Sequence, residues 1–137
     1  MSIAKETLLH AYRTMKTIRE VEERVNAEIM NGQIPGFTHL YTGQEANAVG
    51  VCTHLDESDT IISTHRGHGH CIAKGAEVSG MMKELFGSSE GLCKCKGGSM
   101  HVADIDKGIL GANGIVAGGP PISVGSALAA KIRKNGK

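Results

Sequence analysis

His65-Arg66-Gly67-His68-Gly69-His70 gathers three imidazoles and a guanidinium in one short stretch that carries two glycines. Arg offers a planar fork of donors that can clamp a phosphate, and glycine lets backbone approach a ligand closely. The stretch follows a β-branched run, Thr60-Ile61-Ile62-Ser63-Thr64, and leads into helical sequence. The N–H groups and dipole of a helix start would favour an anion there. The plain alternative is a polar loop that joins two elements. Zinc binding by His68 and His70 with His65 or His101 competes, but His-x-His in a loop without acidic or thiolate partners is a poor zinc set. Cys93-Lys94-Cys95 lacks a second cysteine pair and is equally poor. Lys94 and Lys96 would favour a reactive thiolate, against the plainer reading of ordinary free thiols.

A second constellation joins Gly97-Gly98-Ser99-Met100-His101 to Gly111-Ala112-Asn113-Gly114-Ile115-Val116. The Gly-Ile-Val step offers main-chain donors and acceptors beside two apolar side chains, which suits a flat heteroaromatic ring; a buried turn is the alternative.

Several elements must position these groups. The spacing of Leu8, Ala11, Met15, Ile18, Val25 and Ile29 predicts one amphipathic helix over residues 4–31, with Lys16, Arg19, Glu22, Glu23 and Glu28 on its polar face. Asn31-Gly32 ends it. Thr42-Gly43-Gln44-Glu45 reads as a capping box that opens a small-residue helix. Thr60–Thr64 is the best strand. Helices are predicted through Ile72–Lys74 and over about 77–86, a loop over 87–100, and a last helix from Pro120-Pro121 to Asn135-Gly136. One strand with helices and glycine-rich joins reads as the helix-rich part of an α/β fold, cut before most of its sheet. Helices without that sheet should leave apolar surface uncovered.

Composition narrows the function. The chain has 137 residues, 19 of them Gly, with 3% aromatics and a formal net charge of +1. That balance argues against nucleic acid as a partner. No apolar run reaches the roughly 20 residues that a membrane span needs. The first residues do not form a signal peptide, so a cytoplasmic location and reduced cysteines are expected.

Phe37-Thr38-His39-Leu40-Tyr41-Thr42-Gly43-Gln44-Glu45-Ala46, Ser63–His70, Gly97–His101 and Leu110–Val116 occur in family-like order and spacing. Together they resemble the alpha subunit of thiamin-diphosphate-dependent 2-oxo acid dehydrogenases, over about residues 5–135. The acetoin branch is the nearer likeness and the pyruvate branch the next. The resemblance implies a partial thiamin-diphosphate-binding domain over 1–137. Within it, His65 and Arg66 would contact the cofactor diphosphate. The backbone of Gly114 and Val116 would hold the aminopyrimidine. Phe37 and His39 would line the substrate pocket, and His68 would lie close by in the strand-end loop; His39 and His68 are the catalytic candidates. The implied chemistry is carbonyl addition, C–C cleavage and transfer of a two-carbon unit to a lipoyl group. The implied partners are a beta subunit, which supplies the activating glutamate within a heterotetramer, and a lipoyl-bearing acyltransferase.

Two departures bear on the structure. Cys95 and Ala117 stand where the family carries glycine, which costs about 1 kcal/mol or more if φ is positive there. The family's Mg²⁺ ligands are expected beyond residue 137. The sequence is therefore expected to be a fragment, a split subunit or a truncated product, inactive alone. A non-catalytic interaction module, with residues 4–31 as its partner surface, is the rival reading.

Overall fold

The computed structural model describes residues 3–135. Among them five α-helices carry the architecture: α1 Lys5–Met30, α2 Glu45–Cys52, α3 His68–Ala73, α4 Val78–Leu85 and α5 Gly119–Arg133. A 3-10 turn at Ile105–Lys107 precedes α5. The expected readings of Met1, Ser2 and Gly136 lie outside the described residues.

α1 matches its predicted span. Asn31 caps it and Gly32 takes φ +71°, the left-handed stop that glycine adopts without strain. Its buried residues are Ile18, Glu22, Val25 and Glu28, one stripe at steps of three and four. This corrects the placement of Glu22 and Glu28 on the polar face. Glu22 lies one turn past Ile18 and three residues before Val25, so the helix period itself turns it inward. Glu28 is paired with Arg24 at 2.6 Å. Residues 3–10 are exposed throughout, and the buried stripe of α1 begins only at Ile18.

The capping box does not form. Gln44 occupies the N-cap without a side-chain bond, so α2 starts at Glu45 itself. The Glu45 carboxylate instead accepts from the Gly43 N–H at 3.0 Å and from Arg19 Nε at 2.7 Å. It thereby ties α2 to α1.

Thr60–Thr64 does not become a strand. Its pairing reduces to an isolated parallel bridge, Ile61 to Ile109, beside an antiparallel bridge, Asp104 to Ile109. The Ile61 N–H donates to Gly108 O, the Leu110 N–H to Ile61 O and the Ser63 N–H to Gly111 O, each at 2.9 Å. Three extended segments thus lie side by side with 109–111 in the middle. The chain is helix-rich, and among the described residues no strand is longer than a bridge.

The core gathers Ile18 and Val25 of α1, Ala48 and Val49 of α2, Cys71 and Ile72 of α3, and Met81 and Leu85 of α4 around Tyr41, Val102 and Ile109. α5 opens with proline in its first turn, as read, but buries no residue. It leans on the extended segment through Ser126 Oγ, 2.9 Å from Thr60 Oγ1. Val124, Leu128 and Ile132 stay exposed, matching the expectation for a helix with little sheet to cover.

Tyr41, fully buried, lies against the backbone of Gly69, where an added Cβ would stand 2.1 Å from Tyr41 Cδ1. Gly69→Ala is expected to lower the unfolding free energy by about 1–3 kcal/mol, the scale of overpacking a filled core. Urea denaturation reads this directly, and an unchanged midpoint would contradict the packing described.

Candidate functional site

The His65–His70 stretch divides by direction. Gly67 packs where a Cβ would come 2.7 Å from Ala112 Cβ, and Gly69 packs on Tyr41. These glycines allow close approach of the chain to itself, not to an outside anion. His68 is 0% exposed. Its Nδ1 lies 2.8 Å from Glu22 Oε1 and its Nε2 lies 3.0 Å from Ser99 Oγ, so both nitrogens are engaged. His70 is held the same way: Nδ1 is 2.6 Å from Ser63 Oγ and Nε2 is 3.0 Å from the Tyr41 hydroxyl. α3, which carries these residues, is only six residues long.

The other face of the stretch is different. His65 meets His39 edge to face, with ring centroids 4.9 Å apart. The Nδ1 atoms of both rings and the Thr38 hydroxyl are buried with no partner among the described residues. Arg66 donates through Nη1 to the Leu40 carbonyl, which fixes 38–40 beside 65–66. Its remaining guanidinium donors are available to an anion. The structure therefore brings His39, His65 and Arg66 together. Phe37, at 83% exposed, stands out at the surface.

Gly114 and Val116 belong to a neighbouring turn. The Ala112 N–H donates to Val102 O at 2.8 Å, and the Gly114 N–H donates to His101 Nε2 at 3.4 Å. Ile115 and Ala117 line a cleft of about 260 Å³ with Ser63 and Thr64 on its other wall. Ser63 and Thr64, which lead into the strand-end loop, and Ile115 of the Gly-Ile-Val turn thus line one cleft with the start of α5. Ala117 holds φ +67° and Cys95 φ +65°, so both non-glycine residues sit in the left-handed region that glycine would occupy with less strain.

Two organising carboxylates are absent from the motif reading. Glu22 holds His68. Glu84 is nearly fully buried and gathers the 87–100 loop: Oε2 accepts from the N–H groups of Cys93 and Cys95, both at 2.9 Å, and Oε1 from those of Gly97 and Gly98 at 2.8 and 3.0 Å. The legible signal was a loop without apolar period that still needs partners for its N–H groups. Burial pushes the Glu84 carboxyl up, but the four N–H groups outweigh it and hold it below the ordinary range. Glu45 is held down to about 2, first by its bond from Arg19 and against its own burial. Burial pushes the Cys93 thiol up, although the Ala103 N–H bonded to its sulfur opposes this. That favours an ordinary thiol over a reactive thiolate. Cys71 is pushed up to about 12 by burial. Among the described residues no three His, Cys, Asp or Glu side chains cluster to hold a metal ion. No described helix is long and apolar enough to cross a membrane.

A sequence profile of the family described as dehydrogenase E1 component matches residues 13–137. The alpha subunit of acetoin:2,6-dichlorophenolindophenol oxidoreductase from Bacillus subtilis (strain 168) is 58% identical over 134 residues, 98% of this chain and 40% of that subunit. The subunit of the same description from Cupriavidus necator is 56% identical over 137 residues, 100% of this chain and 41% of that subunit. The alpha subunit of the pyruvate dehydrogenase E1 component from Rhizobium meliloti (strain 1021) is 45% identical over 133 residues, 97% of this chain and 38% of that subunit. The chain spans about two fifths of the length of these relatives.

Burial holds the His70 ring below its ordinary value of about 6.5, so the folded state keeps it neutral between two hydroxyls. Below pH 6.5 the unfolded chain takes up this proton before the folded one does, which favours unfolding. Stability should therefore fall as pH drops from 7 towards 5.5, and His70→Asn should show a shallower fall in denaturant midpoint. Parallel pH profiles for the two proteins would contradict the assignment.

Proposed function

The chain belongs to the dehydrogenase E1 component family, and on that premise we propose that it forms the N-terminal part of the alpha subunit of a thiamin-diphosphate-dependent enzyme acting on acetoin. The observation that carries the reading is the polar corner made by His39, His65 and Arg66, one residue on from Thr64, which lines a cleft with Ile115 of the Gly-Ile-Val turn. Buried polar atoms without partners fit an anionic group that would satisfy them: His39 Nδ1, His65 Nδ1 and Thr38 Oγ1. Thiamin diphosphate, when bound, supplies the electron sink for breaking a C–C bond beside a carbonyl.

In this reading Arg66 binds diphosphate with the donors not spent on Leu40, and His65 binds beside it. The backbone of Gly114 and Val116 orients the aminopyrimidine, with the Gly114 N–H already engaged by His101. His39 is the imidazole that can reach a substrate, since His68 is sealed with both nitrogens engaged. Phe37 joins the substrate pocket from its exposed position. No residue of this chain is assigned to Mg²⁺, which would share the diphosphate charge. The extended segments 61–63 and 108–111 form the start of the parallel sheet of an α/β domain that includes residues 1–137. The partners are a beta subunit and a lipoyl-bearing acyltransferase, and the compartment is the cytoplasm. Acetoin is favoured over pyruvate by the identities of 58% and 56% against 45%.

Arg66→Ala in the assembled enzyme is expected to weaken thiamin diphosphate binding by about 1.5–3 kcal/mol, the scale of a charge-assisted hydrogen bond. His65→Ala should cost less, because an imidazole offers at most two N–H donors against the five of a guanidinium. Titration calorimetry checks both, and equal affinity in Arg66→Ala and the parent would refute the diphosphate assignment.

A further inference from the structure

Glu22 comes from the middle of α1 and lies outside every motif that points to the site, yet it is 0% exposed. Its Oε1 is bonded to His68 Nδ1, and its Oε2 is buried with no partner among the described residues. His68 is thus the one described group that compensates this carboxylate, and a carboxylate buried without compensation is strongly disfavoured. The constraint runs onward. His68 Nε2 meets Ser99 Oγ at 3.0 Å, in the middle of Gly97–His101. That turn is closely folded on itself: a Cβ at Gly97 would stand 2.4 Å from the His101 carbonyl oxygen. At its end, His101 Nε2 accepts from the Gly114 N–H, and Val102 O accepts from the Ala112 N–H. The chain of contacts runs from α1 through α3 to the Gly97–His101 turn and ends on Gly114, the residue whose backbone is assigned above to the cofactor ring.

We propose that Glu22 is a positioning residue: through His68 and Ser99 it fixes the Gly97–His101 turn, and through His101, which takes the Gly114 N–H, it holds the backbone at Gly114 in place. The inference rests on the cofactor reading for its purpose, but its physical content does not depend on that reading. Glu84 holds the same loop from its other end, at Cys93, Cys95, Gly97 and Gly98. Glu22 is therefore needed for the far half of the turn, not for the loop as a whole.

Amide hydrogen exchange on the full chain, read by mass spectrometry without cofactor, tests this. Glu22→Ala should raise exchange at least tenfold in peptides covering 97–101 and 112–116, while peptides covering 61–63 keep their protection. Glu22→Gln, which preserves an acceptor for His68 Nδ1–H, should restore most of the protection. Should Glu22→Ala fail to fold, Ser99→Ala removes only the far link and should raise exchange in the same two regions. A uniform rise along the chain, as a purely structural pair would give, or no rise in 112–116, overturns the proposal. Because no cofactor is present, a negative result is separate from a failure of the cofactor assignment, which Arg66→Ala tests.

Discussion

The buried contact of His68 with Glu22 and Ser99 is the constraint on which the other arrangements depend. A carboxylate and an imidazole removed from water must satisfy each other, and any fold of this sequence that separates them leaves an uncompensated polar group. Meeting that demand brings α1, α3 and the Gly97–His101 turn to one point. The glycines of the same stretch follow from it, since α3 can reach this position only if Gly67 lies on Ala112 and Gly69 on Tyr41. His70 repeats the device with Ser63 and Tyr41, tying α3 to the extended segment and to the segment before α2. A stretch rich in imidazole and glycine thereby acts chiefly as internal adhesive.

Only the beginning of that stretch faces outward. His65 and Arg66 precede the turn into α3, so they are less buried than Gly67, His68 and Gly69 and do not share their partners. Arg66 is steadied by one carbonyl and keeps donors free, and His65 is steadied by the edge of His39. The candidate site is thus preorganised by neighbours that do no chemistry: four residues seal the interior, and two present charge and donors at its rim. Glu84 gathers the loop that leads into Gly97–His101, and within it Cys95 takes a positive φ that glycine would adopt with less strain.

Much of this was legible in the sequence, and the gaps have physical causes. α1, α4 and α5 declare themselves by apolar period, a glycine stop and paired prolines. Glu22 was misplaced because residue type was allowed to outweigh period; its spacing from Ile18 and Val25 already put it on the core stripe. The Thr42–Glu45 box failed because Arg19, distant in sequence, claims the glutamate. Thr60–Thr64 has strand composition, but pairing depends on neighbours that composition does not reveal, and here it reaches only isolated bridges. The motifs that resemble the dehydrogenase alpha subunits assign His65 and Arg66 to a diphosphate and His39 to a substrate pocket, and the fold brings the three together. They could not show that His68, two residues from Arg66, points inward.

In the proposed function, one rim of this chain binds the diphosphate of thiamin diphosphate while a turn nearby in the fold binds its ring. A crystal structure of the chain assembled with a beta subunit, thiamin diphosphate and Mg²⁺ tests it most directly. The account predicts diphosphate oxygens within hydrogen-bond distance of Arg66 and His65, the aminopyrimidine on the Gly114 and Val116 backbone, and His68 still enclosed between Glu22 and Ser99. Cofactor density elsewhere, or a His68 ring swung out to meet it, would contradict the account.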